Sequence, residues 1–165
     1  MIQVVGDIGG TNIRLATLAN HELTNIENHP IAQFRSLEDA LEVYRRGETI
    51  AAISVGVAGP VVQGKCDLTN AGWHIDSTNL INRFNGAHAV LLNDLVALGY
   101  GVGSSSKETI HAGQPNLGNE CGIAPGTGLG ECGVTRVLGQ TMVMQSEGAH
   151  ADFAPTNREQ AALLD

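Results

Sequence analysis

Two adjacent glycines interrupt an apolar stretch close to the start of the chain, within the sequence VGDIGGTNIRLA at positions 5–16. The apolar run at 2–7 is typical of a buried strand, and residues 12–19 alternate between two faces as a second strand would. Glycines at the junction of two strands predict a β-hairpin. The chain is therefore expected to begin with an antiparallel pair of strands.

Helices and strands alternate after this hairpin. A third strand is predicted at 22–28, followed by a helix at 36–47, which Ser36 caps and Gly47 ends. The further predicted elements are strands at 49–60 and 88–94 and helices at 77–84 and 95–102. Strands and helices in this order predict an α/β fold that is built on a mixed sheet.

A polar stretch at 103–108, GSSSKE, is the candidate boundary between two domains. The residues at 121–139 again give a strand, a glycine-rich turn and a strand, in the style of the opening hairpin. A helix is predicted to begin at 158, and no stop signal follows it within the 165 residues. We therefore expect the chain to be truncated inside this helix.

The composition limits the partners and compartments that are expected. The formal net charge is −8 and no basic run opposes it, so binding to nucleic acid or to an anionic membrane is not expected. No apolar run approaches the roughly 20 residues that cross a bilayer, and no signal-peptide pattern is present. The three cysteines have no CxxC spacing, which is typical of a reducing compartment. A cytoplasmic protein is therefore expected.

The first glycine turn is a candidate phosphate site. Glycine permits positive φ and lets main-chain N–H groups converge on an anion, and Thr11 adds a hydroxyl donor. Asp7, at the end of the first strand, is a candidate ligand of Mg²⁺, directly or through water. The alternative is a plain hairpin with an exposed aspartate. The Walker loop and the dinucleotide fingerprint do not fit, because the turn has no lysine and its glycine spacing differs.

Two later segments carry further candidates. The sequence PGTGLG at 125–130 offers a second phosphate cradle, with a glycine-rich hairpin as the alternative. Asn93 and Asp94 come where a strand ends and a helix begins. They either cap that helix, or they place a carboxylate where it accepts a proton from a substrate hydroxyl.

Polar residues suited to a sugar are found in two other places. Glu147 and His150 are three residues apart and suit hydrogen bonding to the hydroxyls of a polyol, with an exposed loop pair as the alternative. A structural zinc site is not expected there, because the cysteines are poorly spaced. Trp73 either packs in the core or lies near a sugar together with Asn70.

The order of these segments resembles that of the bacterial glucokinases, which belong to the hexokinase/actin/Hsp70-type ATPase superfamily. The matching segments are GDIGGTNIRLA, VAGPV, LTNAGW, LLNDLVALG, PGTGLG and SEGAHADFAP, and they extend over nearly the whole chain. The resemblance implies transfer of phosphate from ATP to the 6-hydroxyl of D-glucose, with ATP and Mg²⁺ as cofactors. The chain lacks the cysteine cluster of the zinc-containing ROK sugar kinases, so the glucokinase branch fits better.

The same resemblance implies roles for individual residues. Asp94 is implied to be the catalytic base and to contact the sugar. The implied sugar-binding positions are Asn93, Glu147 and His150, with Asn70 as a further candidate. The implied positions for the ATP phosphates are Gly6, Asp7, Ile8, Gly9, Gly10 and Thr11, with Gly126, Thr127 and Gly128 as the candidate second cradle.

The resemblance also implies a domain organisation. A small α/β domain of the ribonuclease-H-like (actin-like ATPase) type, with a mixed five-stranded sheet, is expected at 1–110. The start of a second, larger α/β domain is expected at 111–165. Because family members are much longer than this chain, the isolated chain is expected to be inactive, and a homodimer is compatible with the pattern. A kinase for another hexose and a sugar-binding fragment without activity stay open as alternatives.

Overall fold

A computed structural model of the chain describes residues 1–114, 118–125, 129–146, 148 and 151–164. Within these residues the strands are β1 (Ile2–Ile8), β2 (Asn12–Ala19), β3 (Glu22–Pro30), β4 (Ile50–Val57), β5 (Lys65–Leu68), β6 (Trp73–Asp76), β7 (His88–Asn93), β8 (Glu120–Pro125), β9 (Leu129–Val137) and β10 (Gln140–Ser146). The helices are α1 (Leu37–Tyr44), α2 (Ser77–Arg83), α3 (Asp94–Gly101) and α4 (Arg158–Ala161), and a 3-10 turn spans Ile31–Gln33.

Five strands form a mixed sheet in the order β3-β2-β1-β4-β7. The strand β2 is antiparallel to both of its neighbours, β1 and β3, whereas β4 is parallel to β1 and β7 is parallel to β4. The predicted α/β fold with a mixed five-stranded sheet is therefore confirmed. The opening hairpin is also confirmed, because β1 and β2 pair from Gln3–Leu18 to Ile8–Ile13.

The core lies against one face of β1 and β4, where Val4, Ile8, Ile53, Val55 and Val57 are almost fully buried. Leu37 and Leu41 of α1 are 0% exposed and belong to the same apolar cluster as Trp73 and Leu80. The helix α1 begins where the sequence predicts, because the Ser36 hydroxyl accepts a hydrogen bond from the Asp39 main-chain N–H. Trp73 thus takes the first of its two predicted places, in the core.

Three strands form a second sheet in the order β10-β9-β8, and all its pairs are antiparallel. One face of this sheet packs against α3, whose Gly99 allows a close approach. A Cβ atom at this position would lie 2.5 Å from Cγ1 of Val143 and 3.2 Å from the Cys132 sulfur. Side chains that are more than half exposed lie on this sheet as well: Ile123, Met142 and Met144.

Several element boundaries differ from those expected. The helix predicted at 36–47 ends at Tyr44, and the junction of β7 and α3 lies between Asn93 and Asp94, one residue earlier than expected. The hairpin of β5 and β6 and the strand β10 lie where no element is predicted. In the part of the chain that the structure describes, no helix is longer than eight residues, and none is long and apolar enough to cross a membrane.

Candidate active site

The carboxyl ends of three parallel strands lie side by side in the five-stranded sheet. Ile8 of β1 is in register with Val57 of β4, and Val57 is in register with Asn93 of β7. The glycine turn at 9–11, the loop at 58–60 and the start of α3 therefore leave the sheet at one edge. Open α/β sheets bind their ligands at this edge.

A cleft of about 580 Å³ opens at this edge, within the volume range of ligand-binding sites. Its walls come from both sheets. The five-stranded sheet, its loops and the start of α3 contribute Gly10, Thr11, Ala58, Gly59, Pro60, Asn93, Asp94 and Leu95, and the turn between β5 and β6 contributes Asn70. The three-stranded sheet contributes Ala124, Pro125, Leu129, Gly130, Glu131, Gln145 and Ser146. The first glycine turn and the Gly130 end of the second thus face one cleft together with Asp94.

Asp94 is the first residue of α3 and is half-buried in this cleft. Its Oδ1 accepts hydrogen bonds from the Leu95 main-chain N–H and from Nδ2 of Asn93, each at 2.9 Å. Its Oδ2 makes no hydrogen bond to any residue that the structure describes. Burial raises the pKa of the Asp94 carboxyl, and the negative charge of Asp7 raises it further, against the lowering effect of the Leu95 N–H. A carboxylate with a raised pKa and an open oxygen is suited to accept a proton.

Asn93 caps α3, as one of the two interpretations of its position predicts. Its Oδ1 accepts hydrogen bonds from the main-chain N–H groups of Leu95 and Val96, at 3.0 and 3.3 Å. Its Nδ2 donates to the carbonyl of Gly59 at 3.2 Å and to Asp94. The amide therefore joins the loop after β4 to the start of α3, and a sugar hydroxyl would have to replace one of these partners.

The conformation of the first glycine turn does not depend on the positive φ that glycine permits. Neither Gly9 nor Gly10 has a positive φ, and the turn is closed by a hydrogen bond from the Gly9 N–H to the Asn12 carbonyl at 2.9 Å. Gly10 is constrained by a close neighbour instead. A Cβ atom at Gly10 would lie 2.9 Å from Nδ2 of Asn70, so the absent side chain lets Asn70 reach across the turn.

The residues before the turn have different surroundings. Gly6 lies inside β1, where a Cβ atom would lie 2.9 Å from Cδ2 of Leu15 and 3.0 Å from Cγ1 of Val55. Ile8 is 0% exposed, so its side chain belongs to the core. The Asp7 side chain is 59% exposed, and its Oδ2 lies 3.3 Å from Nη1 of Arg14. Asp7 does not line the cleft, although its charge acts on Asp94.

Five of the predicted site residues lie outside the described residues: Gly126, Thr127, Gly128, Glu147 and His150. Three of their described neighbours line the cleft, namely Pro125, Leu129 and Ser146. Pro125 and Leu129 pair with each other on either side of the first three, and Ser146 directly precedes Glu147. Trp73 does not line the cleft, whereas Asn70 does.

Three polar residues of the cleft have no counterpart in the sequence-based assignment: Glu131, Gln145 and Ser146. Glu131 follows the glycines of the second turn, and this position is the only sequence signal that points to it. Gln145 and Ser146 end β10, a strand that the sequence pattern does not predict. Among the described side chains, no three His, Cys, Asp or Glu residues form a group that could hold a metal ion.

The chain is similar in sequence to one protein family over nearly its whole length. The family model described as Glucokinase matches residues 4–165. A glucokinase of Nostoc sp. is 35% identical over 175 residues, which cover 98% of this chain and 51% of the relative. A glucokinase of Nostoc punctiforme is 31% identical over 173 residues, again with 98% and 51% covered. The chain thus spans about half the length of the curated relatives that it matches.

Solved structures of glucokinases match nearly the whole of this chain and about half of their own length. The crystal structure of a glucokinase from an Antarctic psychrotroph superposes with a TM-score of 0.86 at 30% identity, and the match covers 99% of this chain and 55% of that one. A glucokinase from Balamuthia mandrillaris, solved in complex with glucose, superposes with a TM-score of 0.72 at 23% identity, covering 99% and 53%. The second likeness is one of fold alone.

Proposed function

Because the chain belongs to the glucokinase family, we propose that its cleft binds glucose and ATP and that the natural protein transfers the γ-phosphate of ATP to the 6-hydroxyl of D-glucose. The observation that carries this proposal is the position of Asp94. Its half-buried carboxylate, with one oxygen free of protein hydrogen bonds among the described residues, lies in a cleft that Gly10, Thr11, Leu129 and Gly130 also line. This arrangement suits transfer of a phosphoryl group to a hydroxyl.

Asp94 is proposed to act as the general base. A sugar hydroxyl that attacks phosphorus must lose its proton, and a positioned carboxylate within hydrogen-bond reach accepts it. The raised pKa of Asp94 favours this role, because the carboxylate is a stronger base than an exposed aspartate. The hydrogen bonds from Asn93 and Leu95 hold Oδ1 and leave Oδ2 as the oxygen that receives the proton.

The turn after β1 is proposed to bind the phosphates of ATP. Phosphoryl transfer depends mainly on alignment and on the stabilisation of charge on the phosphoryl oxygens. Gly10 and Thr11 line the cleft at this turn, and Thr11 is exposed, so their N–H groups and the Thr11 hydroxyl are accessible donors. Gly9 and Ile8 would contribute by shaping the turn. Gly126, Thr127 and Gly128 are proposed as the second phosphate cradle.

Asp7 is proposed as the residue that would hold Mg²⁺. Its carboxylate is exposed, and it lies at the carboxyl end of β1 beside the proposed phosphate turn. Mg²⁺ prefers oxygen ligands, keeps several waters and commonly uses one or two carboxylates together with substrate phosphates, so a single carboxylate here fits that donor set. When bound, the ion would neutralise charge on the phosphates.

The sugar is proposed to bind between Asp94 and the three-stranded sheet. Asn70 and Asn93 line the cleft beside Asp94, and Glu147 and His150 are proposed as the ligands that follow β10. Hydroxyl groups both donate and accept, so amides, carboxylates and imidazole together suit a polyol.

A division into two domains is also proposed, with a small domain at 1–110 and the start of a large domain at 111–165. It is supported by the exposed residues 105–114, which form no helix or strand.

A cytoplasmic location and a homodimer complete the proposal. The net charge of −8 argues against nucleic acid as a partner. Light scattering after size-exclusion chromatography tests the homodimer.

A coupled assay for ADP over a panel of hexoses tests the function. We expect the natural protein to phosphorylate glucose with a higher kcat/KM than fructose, mannose or N-acetylated hexoses. A higher value for another hexose would identify a kinase of different specificity. If calorimetry shows that the natural protein binds glucose but the assay detects no turnover, the protein is a sugar-binding protein and the proposed kinase function is contradicted. The same titrations on the 165-residue chain measure how much of the site it supplies alone.

A further inference from the structure

One carboxylate in the cleft has no role in the proposed reaction. Glu131 lies on β9 and lines the cleft from the side of the three-stranded sheet. It is paired across the sheet with Ser146, the last residue of β10. Glu131 therefore lies at the point where the chain leaves β10 and enters the segment that contains the predicted sugar ligand Glu147.

The contacts of Glu131 are with the residues on either side of that ligand. The Ser146 hydroxyl donates to Oε2 of Glu131 at 3.5 Å, which is the outer limit of a hydrogen bond. The Gly148 main-chain N–H donates to the same hydroxyl at 3.0 Å. A Cβ atom at Gly148 would lie 2.5 Å from Oε2 of Glu131, so the carboxylate lies directly against the α-carbon of Gly148.

Gly148 is held on its other side as well. Its carbonyl accepts a hydrogen bond from the Ala151 main-chain N–H at 3.0 Å. The polypeptide is thus fixed at Ser146, at Gly148 and at Ala151, and these three positions bracket both predicted sugar ligands in the sequence. Glu131, which lies outside the segment, is close to two of these positions, Ser146 and Gly148.

We propose that Glu131 is a positioning residue for sugar binding, because its carboxylate braces Ser146 and Gly148 and so fixes the main chain on both sides of Glu147. The inference rests on the proposed function for its effect on glucose, although the brace itself does not depend on it. A residue in this role sets the affinity for the sugar. Because Glu131 acts on the sugar through the main chain of the segment after β10, the transfer step itself is expected to be little affected.

Kinetics of Glu131→Ala in the natural protein test the effect on glucose. Removing one hydrogen-bonding partner is expected to raise the KM for glucose by about five- to tenfold, while kcat and the KM for ATP change by less than about twofold. Glu131→Gln keeps an acceptor for the Ser146 hydroxyl, so an intermediate KM is expected. Glu120→Ala is the matched control, because Glu120 lies exposed on the same sheet and pairs with Arg136.

Gly148→Ala provides a second and independent variant. The Cβ atom that alanine adds at Gly148 must displace the flexible end of Glu131, since it would lie 2.5 Å from Oε2. We expect the same rise in the KM for glucose as for Glu131→Ala. In the double variant the two effects should not add, because both act by removing one contact. Full additivity would overturn the proposal.

Amide hydrogen exchange at Gly148 separates this inference from the proposed function, because it needs no substrate. Exchange of the Gly148 N–H is expected to be faster in Glu131→Ala than in the wild type or in Glu120→Ala. If exchange is faster in Glu131→Ala but the natural protein phosphorylates no hexose, the contact of Glu131 with Ser146 and Gly148 is supported and the proposed kinase function is contradicted. Unchanged exchange, or an unchanged KM for glucose in an active enzyme, would overturn the role of Glu131.

Discussion

The Asn93 amide nitrogen lies 2.9 Å from Oδ1 of Asp94, and the oxygen of the same amide caps the helix that Asp94 begins. The two neighbouring residues at the end of β7 thus have different structural roles. Asn93 fixes the main chain and one oxygen of the carboxylate, and Asp94 presents its other oxygen to the cleft. The capping interpretation and the functional interpretation of this pair are therefore compatible.

Asn93→Ala is expected to lower both stability and activity. The loss of a helix cap costs about 0.5–2 kcal/mol of unfolding free energy, and the free Asp94 carboxylate would lose its alignment, which lowers kcat. Urea denaturation and the rate of glucose phosphorylation measure the two effects. Asn79→Ala, at an exposed position of α2, is the matched control and should change neither. Wild-type stability in Asn93→Ala would show that the cap contributes nothing.

Asp94 is expected to destabilise the folded chain at neutral pH. Burial, and then the charge of Asp7, raise its folded pKa above the ordinary 3.8, so the folded state binds more protons than the unfolded state between these two values. Stability therefore falls as the pH rises through this interval, and the cost persists above it. Asp94→Asn removes the cost.

Thermal unfolding without Mg²⁺ tests this pH dependence. Asp94→Asn should have a higher Tm than the wild type at pH 7, and the difference should shrink as the pH falls through the interval between the folded pKa and about 4 and be lost below it, where the aspartate becomes neutral in both states. Asp67→Asn, at an exposed position outside the cleft, is the control. A lower Tm for Asp94→Asn at pH 7 would contradict the raised pKa.

Gly6→Ala is expected to lower stability, whereas Gly10→Ala is expected to affect glucose binding. The Cβ atom at Gly6 meets Leu15, Val55 and the Arg14 carbonyl at 3.1 Å or less, and such overpacking costs about 1–3 kcal/mol. The Cβ atom at Gly10 meets only the flexible end of Asn70 at short range, so stability should change by less than about 0.5 kcal/mol. The displaced Asn70 should raise the KM for glucose. Denaturation and kinetics on both variants distinguish a packing glycine from a site glycine.

The elements with strong local signals are those that the sequence predicts well. Glycine between two apolar runs gives the β1–β2 hairpin, and Ser36 marks the start of α1. The strand β10 has no such signal, because its methionines point outward and only Val143 among its residues is partly buried. The four-residue strands β5 and β6 are too short for their alternation of buried and exposed residues to stand out.

The sequence predicts which residues belong to the candidate site, but it does not predict which of them contact one another. The sequence places Asp94 at the end of a strand. Only the structure shows that the carboxyl ends of β1, β4 and β7 are aligned, so that Asp94 lies beside the turn at 9–11 and the loop at 58–60. The role of Gly10 depends on Asn70, which is sixty positions away in the chain, so no local pattern could reveal it. Glu131 lies beside Ser146 because β9 pairs with β10, a strand that the sequence does not predict.

The rate of glucose phosphorylation by Asp94→Asn, measured together with glucose binding by calorimetry, tests the central claim most directly. The amide keeps the size of the side chain and an acceptor for the Leu95 N–H, but it cannot accept the proton of the sugar hydroxyl. We expect a loss of about 10²–10⁴-fold in kcat with glucose affinity changed by less than about threefold. A kcat within about twofold of the wild type would contradict the assignment of Asp94 as the base.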